Sequence, residues 1–167
     1  MNHTMKRFRL LLMLLAAGVI LPVRAQQKSL SAEELTSGAD LVLVGKVAGV
    51  KAAWTDDRSR IVTRVTLAVD QTLKGAGSQG TVTIESPGGE IGAVGEWYSH
   101  TAQFKKDEDV LVFVKKDRQG KLRVTGGNSG KLTIRKDEQT GARTVTDGVT
   151  LERFADRVKQ AVKVETN

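Results

Sequence analysis

The sequence contains no cysteine among its 167 residues, which excludes disulfide crosslinks, thiolate metal sites and lipid attachment through a cysteine. Histidine is nearly as scarce: His3 and His100 are the two present, too few for a metal site built on imidazoles. The apolar run from Leu10 to Val23 spans about 14 residues and carries Pro22 near its end, whereas a helix crossing a bilayer needs ~20. Internal repeats and low-complexity segments are absent.

The flanks of the apolar run show what it does instead. Lys6, Arg7 and Arg9 precede it and Val23-Arg24-Ala25 closes it, the order of a secretory signal cleaved after Ala25, with no membrane anchor left behind. Cleavage removes Lys6, Arg7, Arg9 and Arg24 but no acidic residue, so 26 basic against 19 acidic side chains become 22 against 19, and the charge falls from +7 to +3. The whole-chain pI of 9.8 suggests a nucleic-acid footprint; the mature chain loses more than half of that excess. Subtracting 25 residues from 167 leaves 142, a length for one domain with one core. An exported domain without disulfides must be held by its core and its sheet hydrogen bonds, a pattern of bacterial envelope proteins, periplasmic or extracellular.

Periodicity predicts a mainly β fold. After the short tail Gln26–Ser29, Ser31-x-x-Glu34 is a capping box with Leu30 and Leu35 as its hydrophobic staple, opening a helix over residues 32–37 that Gly38 stops. Leu41-Val42-Leu43-Val44 is apolar on both faces, as a central strand covered on both sides would be. Ile61 to Asp70 alternates strictly, and the polar tip Thr55–Ser59 makes these two strands a long hairpin. Thr81–Glu85 resumes alternation until Pro87-Gly88-Gly89, and residues 90–103 show no period and read as a long loop. In the strand 109–116, Val110, Val112 and Val114 take one face, Leu111 and Phe113 the other. Short strands over 121–125 and 131–135, a polar hairpin around 137–141 and an amphipathic helix over about 150–164 complete the chain. The expectation is an antiparallel barrel of the oligonucleotide/oligosaccharide-binding (OB) type, or a small sandwich, with six or seven strands and terminal helices, occupying residues 38–167.

The succession Ala39-Asp40-Leu41-Val42-Leu43-Val44-Gly45-Lys46-Val47, then Leu73-Lys74-Gly75, then Phe104 with Asp109-Val110-Leu111-Val112-Phe113 resembles a widespread class of uncharacterised bacterial secreted proteins. More distantly it is similar to the netrin-like domain of the tissue inhibitors of metalloproteinases, which implies an OB-type barrel. The resemblance covers about residues 39–115 and rests on strands and turns. Those inhibitors act through an N-terminal cysteine, and here the mature chain begins at Gln26, so their mechanism does not transfer. Lys105-Lys106-Asp107-Glu108 also stands where the bacterial class has a glycine.

Few residues could carry chemistry. Ser86 or Ser99 with His100 could be imagined as a hydrolase centre, but no nucleophile-elbow pattern surrounds either serine. A zinc site at His100 would need carboxylate partners such as Glu90 and Glu96, whose spacing matches no metal motif; a hydrolase could otherwise use paired carboxylates. Pro87-Gly88-Gly89 lacks the lysine of a phosphate loop and reads as a turn. No cofactor is expected. Lys105, Lys106, Lys115, Lys116, Arg118, Lys121 and Arg123 could form a polyanion patch, yet Asp107, Glu108, Asp109 and Asp117 are interspersed, giving a mixed surface. Trp54, Trp97, Tyr98 and His100 are the candidate ligand-binding residues, since adjacent aromatics on a glycine-bearing loop can stack on sugars, bases or a partner protein. The competing expectation, favoured for both tryptophans, is that they fold over the core. The function expected is thus a non-catalytic binding module for a protein or glycan, with a hydrolase or a polyanion binder as alternatives.

The export signal predicts that the protein recovered outside the cytoplasm begins at Gln26; intact mass spectrometry of that fraction checks it, and a mass retaining residues 1–25 would refute it.

Overall fold

The computed structural model describes residues 30–77, 80–145 and 148–166; the expected signal segment and the tail before Leu30 lie outside them. In chain order the elements are α1 (Ala32–Gly38), β1 (Leu41–Trp54), β2 (Ile61–Lys74), β3 (Gly80–Pro87), β4 (Gly89–Ile91), β5 (Val94–Glu96), β6 (Asp109–Lys116) and β7 (Leu122–Val124). A 3-10 turn (Gly127–Gly130), β8 (Lys131–Thr133), β9 (Arg135–Lys136), β10 (Arg143–Thr144) and α2 (Leu151–Thr166) follow. The capping box is formed: Ser31 N–H donates to Glu34 Oε2 at 2.8 Å, and Glu34 N–H donates to Ser31 Oγ at 3.1 Å.

The strands run in the order β1-β2-β3-β7-β6, and β6 returns to β1, closing a five-stranded OB-like barrel. β8 adds to β6 beside β7. Four of the five contacts are antiparallel, and β3 meets β7 in parallel at Ile84–Leu122. The expected all-antiparallel arrangement is therefore corrected to a mixed one. The reason is topological: strand directions cannot alternate all the way round a ring with an odd number of members, so one neighbouring pair must be parallel. Sequence alternation is the same in either case.

β1 makes this closure possible by bending. Its pairing with β2 slips at three places, between Val42 and Leu43, Val44 and Gly45, and Val47 and Gly49, and such bulges curve and twist a strand. Gly45 sits at one of them, where a Cβ would come within 2.1 Å of the Ala68 carbonyl oxygen; only glycine allows that approach.

Strand residues of opposite parity feed two cores. Leu41, Leu43, Val47, Val65, Leu67, Ile84, Val110, Val112 and Val114 fill the barrel. Val42, Val44, Leu111 and Phe113 point the other way, onto Leu35 of α1 and Leu151, Phe154 and Val158 of α2. Two-sided burial accounts for the unbroken apolar runs in β1 and β6. Phe113 and Phe154 meet edge to face, ring centres 6.4 Å apart at 73°. Arg157 to Glu33 at 2.9 Å and Lys74 to Glu165 at 2.7 Å tie down the helices from outside.

Two further expectations change. Residues 90–103 are not one long loop, since β4 and β5 form a small hairpin turned by Gly92-Ala93, with φ +60° at Gly92. Three-residue strands interrupted by Gly89, Gly92 and Gly95 show no readable period. Asp107, in the segment that lacks the expected glycine, adopts φ +66°, the left-handed region that aspartate tolerates better than most residues.

Phe154→Ala is expected to lower unfolding free energy by about 3–4 kcal/mol through the cavity it leaves against Phe113. Denaturant unfolding checks this, and a loss below about 1 kcal/mol would show that α2 is not coupled to the barrel.

Candidate functional site

The β4–β5 hairpin stands at one end of the barrel, and residues 97–104 lead from it into β6. Trp97 is 76% exposed, Val94 48%, Val50 40% and Tyr98 37%. Trp97 is thus not a plug over the core: its indole edge rests on Gly95, where a Cβ would meet Nε1 at 3.2 Å, and much of the ring is open to solvent. Trp54 is also not a core cover. It is 39% exposed at the end of β1 and lines a shallow depression with Thr55, Asp56, Arg58 and Arg64.

Trp97 and Tyr98 line a cleft of about 170 Å³ with Val50, Thr63, Glu96 and Phe104. Its wall is braced by polar bonds. Arg60 Nη1 donates to Tyr98 Oη at 2.7 Å, Tyr98 Oη–H donates to Glu96 Oε2 at 3.0 Å, and the Ile61 N–H donates to Glu96 Oε1 at 3.1 Å. The hairpin is thereby fixed to the start of β2. Gly88, at φ +90°, lets the hairpin close down: a Cβ there would lie 2.6 Å from the Glu96 carbonyl oxygen. Pro87-Gly88-Gly89 is a packing turn.

His100 lies in a second cleft, of about 220 Å³, with Glu85, Thr101, Arg123, Val124 and Gly127. Its backbone is held at φ +62° and its carbonyl accepts the Asn128 N–H at 2.8 Å. Ser86, Pro87 and Ala102 line both clefts. Of the four predicted residues, the fold therefore brings Trp97 and Tyr98 together, sets His100 next door and places Trp54 apart from them.

The Ser86 hydroxyl is buried and donates to the Ala102 carbonyl at 3.3 Å, while Ser99 is exposed. The Glu96 carboxylate is engaged on both oxygens as described. Among the described residues, no group of three His, Asp or Glu side chains is placed to hold a metal ion.

Sequence reasoning missed the ionic lattice beneath the second cleft. Glu85 has a side chain only 6% exposed; its Oε1 lies 3.2 Å from Arg64 Nε and 3.4 Å from Lys121 Nζ, and its Oε2 lies 3.7 Å from Arg123 Nη2. Asp56 sits 3.3 Å from Lys121, and Asp117 2.8 Å from Arg123. The Asp56 hydrogen bond pushes the Lys121 pKa up, and the Arg123 hydrogen bond pulls that of Asp117 down. Beside this lattice, the Thr55 hydroxyl, then the Ser59 N–H and hydroxyl, hold the Asp57 carboxyl at about 2, against an ordinary 3.8. Arg64 and Glu85 are direct cross-strand partners, a pairing visible in sequence only once the β2–β3 register is known. Lys121 and Arg123, expected in a mixed basic surface, spend their charge on these carboxylates.

The fold and the site define a barrel with two adjoining clefts at one end, one aromatic and one ionic. The chain matches no protein family, and no curated protein matches it.

Gly88→Ala is expected to displace Glu96 and Tyr98 and to destabilise the protein by at least about 1 kcal/mol, because the new Cβ meets both a backbone oxygen and an unfavourable φ. Thermal unfolding together with near-ultraviolet circular dichroism checks this; an unchanged aromatic spectrum would contradict the tight closure of the hairpin.

Proposed function

We propose that this chain is an exported, non-catalytic binding module that recognises a protein or glycan of the cell envelope through the aromatic end of its barrel. The observation that carries this reading is Trp97, an indole 76% exposed on a hairpin that polar bonds hold still. Exposing so much aromatic surface costs free energy that a partner would recover by covering it, and a braced platform loses little entropy on binding. Aromatic side chains set in such positions carry a disproportionate share of binding energy.

The relationship to netrin-like barrels is part of the same proposal and rests on strand and turn motifs. The hydrolase alternative finds less support, because the Ser86 hydroxyl donates to the Ala102 carbonyl and the Glu96 carboxylate accepts from the Ile61 N–H and the Tyr98 hydroxyl. A polyanion reading is also less supported, since three of the cations on the β2–β3–β7 face are matched by Asp56, Glu85 and Asp117.

Tryptophan fluorescence tests the proposal. In the Trp54→Phe chain, emission reports on Trp97 alone and should shift when cell-envelope fractions are added; the Trp97→Phe chain should show no shift. Trp97→Ala should weaken binding ~30-fold, the about 2 kcal/mol expected of a central aromatic contact. The same shift in the Trp97→Phe chain, or none in any chain, overturns the reading.

A further inference from the structure

We propose that the partner is a protein that adds an extended segment, alternating apolar with acidic residues, as a strand along the free edge of β1 from Gly49 to Trp54. This rests on the reading that the Trp97 cleft is a binding site and names the class of its ligand.

The free edge follows from how the barrel closes. β6 pairs with β1 from Leu41 to Lys46. Val47 makes the last bonds on that side, donating to the Glu108 carbonyl at 2.9 Å and accepting the Asp107 N–H at 2.8 Å. From Gly49 to Trp54, β1 pairs with β2 alone among the described residues. A strand with a neighbour on one side presents a row of outward N–H and C=O groups without a sheet partner. None of residues 48–54 is buried, and Gly49, Ala52 and Ala53 are too small to shield the main chain. Another polypeptide backbone repeats the same donors and acceptors at the same spacing, which makes it the natural complement of such an edge.

Register decides what the added side chains would meet, since they point to alternate faces. Val50 lies opposite Val65, and Ala52 opposite Thr63, which in turn lies opposite Ser86. Val50, Thr63 and Ser86 line the Trp97 cleft, so this face of the edge opens on it. At about 170 Å³ the cleft is below the ~300 Å³ of an ordinary small-molecule site, and its Val50, Phe104 and Trp97 lining suits one apolar side chain. The other face carries Lys51, opposite Arg64, which lies opposite Glu85. Asp56 and Glu85 answer Arg64, whereas Lys51 is exposed and has no ion-pair partner among the described residues. A carboxylate on the added strand would extend this row with an opposite-charge pair.

The same lysine disfavours a second copy of this chain. Two β1 edges paired antiparallel about Lys51 or Ala52 would set their Lys51 side chains opposite or diagonal to each other on one face, a like-charge contact.

Two capped peptides test the proposal, one alternating valine with glutamate and the other valine with lysine. Each is added to the Trp54→Phe chain while Trp97 emission and hydrogen exchange of the amides over residues 49–54 are followed. The glutamate peptide should shift the emission, slow that exchange and bind about fivefold tighter than the lysine peptide. Lys51→Glu should invert the order of the two. Methylating the main-chain nitrogens of the glutamate peptide, which leaves its side chains in place, should abolish both effects. Binding that survives this methylation, or that leaves exchange over 49–54 unchanged, overturns the added strand; an unchanged preference in the Lys51→Glu chain overturns the acidic assignment. Slowing of that exchange with rising protein concentration alone identifies a second copy and overturns the proposal. A shift produced by cell-envelope fractions but by neither peptide, or one lost to periodate and kept after protease, overturns the added strand and leaves the Trp97 site standing. No shift with those fractions overturns the site itself.

Discussion

Closure of the barrel depends on one ladder, in which Leu41 to Lys46 of β1 pair with Val114 to Asp109 of β6. From Leu41 to Val44 and from Val110 to Val114 these segments are sandwiched between the barrel interior and the helices, so their hydrogen bonds are shielded from water and their side chains are buried on both faces. The ladder serves three structures at once. It joins the ends of the sheet, supplies both cores and gives α2 a surface to pack on through Phe113. A polar substitution at any of Val42, Val44, Leu111 or Phe113 would disturb the outer core without touching the interior, because parity separates the two.

Closing a ring of five strands forces the parallel β3–β7 contact, and that contact is short, with Ile84 and Leu122 as its recorded pair. Where β3 runs beyond Ile84, side chains and the segment 100–104 replace strand pairing. Glu85 and Ser86 are consequently buried by loops and long cations. The clefts and the ionic lattice lie along this seam.

The aromatic end follows a related logic. β1 and β2 continue past the barrel as an exposed hairpin, and the β4–β5 hairpin packs against its flank through Gly89, where a Cβ would meet Thr63 Oγ1 at 2.8 Å and Ala52 Cβ at 3.1 Å. The arrangement is rigid because Glu96 satisfies the Ile61 N–H and Tyr98 in turn satisfies Glu96. Trp97 is left exposed beside a braced element.

Local chemistry made much of the fold legible. Alternation in residues 61–70, two-sided burial in 41–44 and 110–114, the Ser31–Glu34 capping box and the spacing of Leu151, Phe154 and Val158 are each set within a few residues, and each element formed where its period placed it. Trp97, Tyr98 and His100 were recognisable as candidates because aromatic residues and histidine are rare in this chain and here cluster around glycines. Only the tertiary structure decided that Trp97 faces solvent, that Trp54 lies apart from it, that β3 and β7 run parallel and that Glu85 is buried among Arg64, Lys121 and Arg123. Those outcomes turn on contacts between residues distant along the chain. Period fixes which way a side chain points from its own strand, whereas the neighbour it meets is chosen by how the barrel closes.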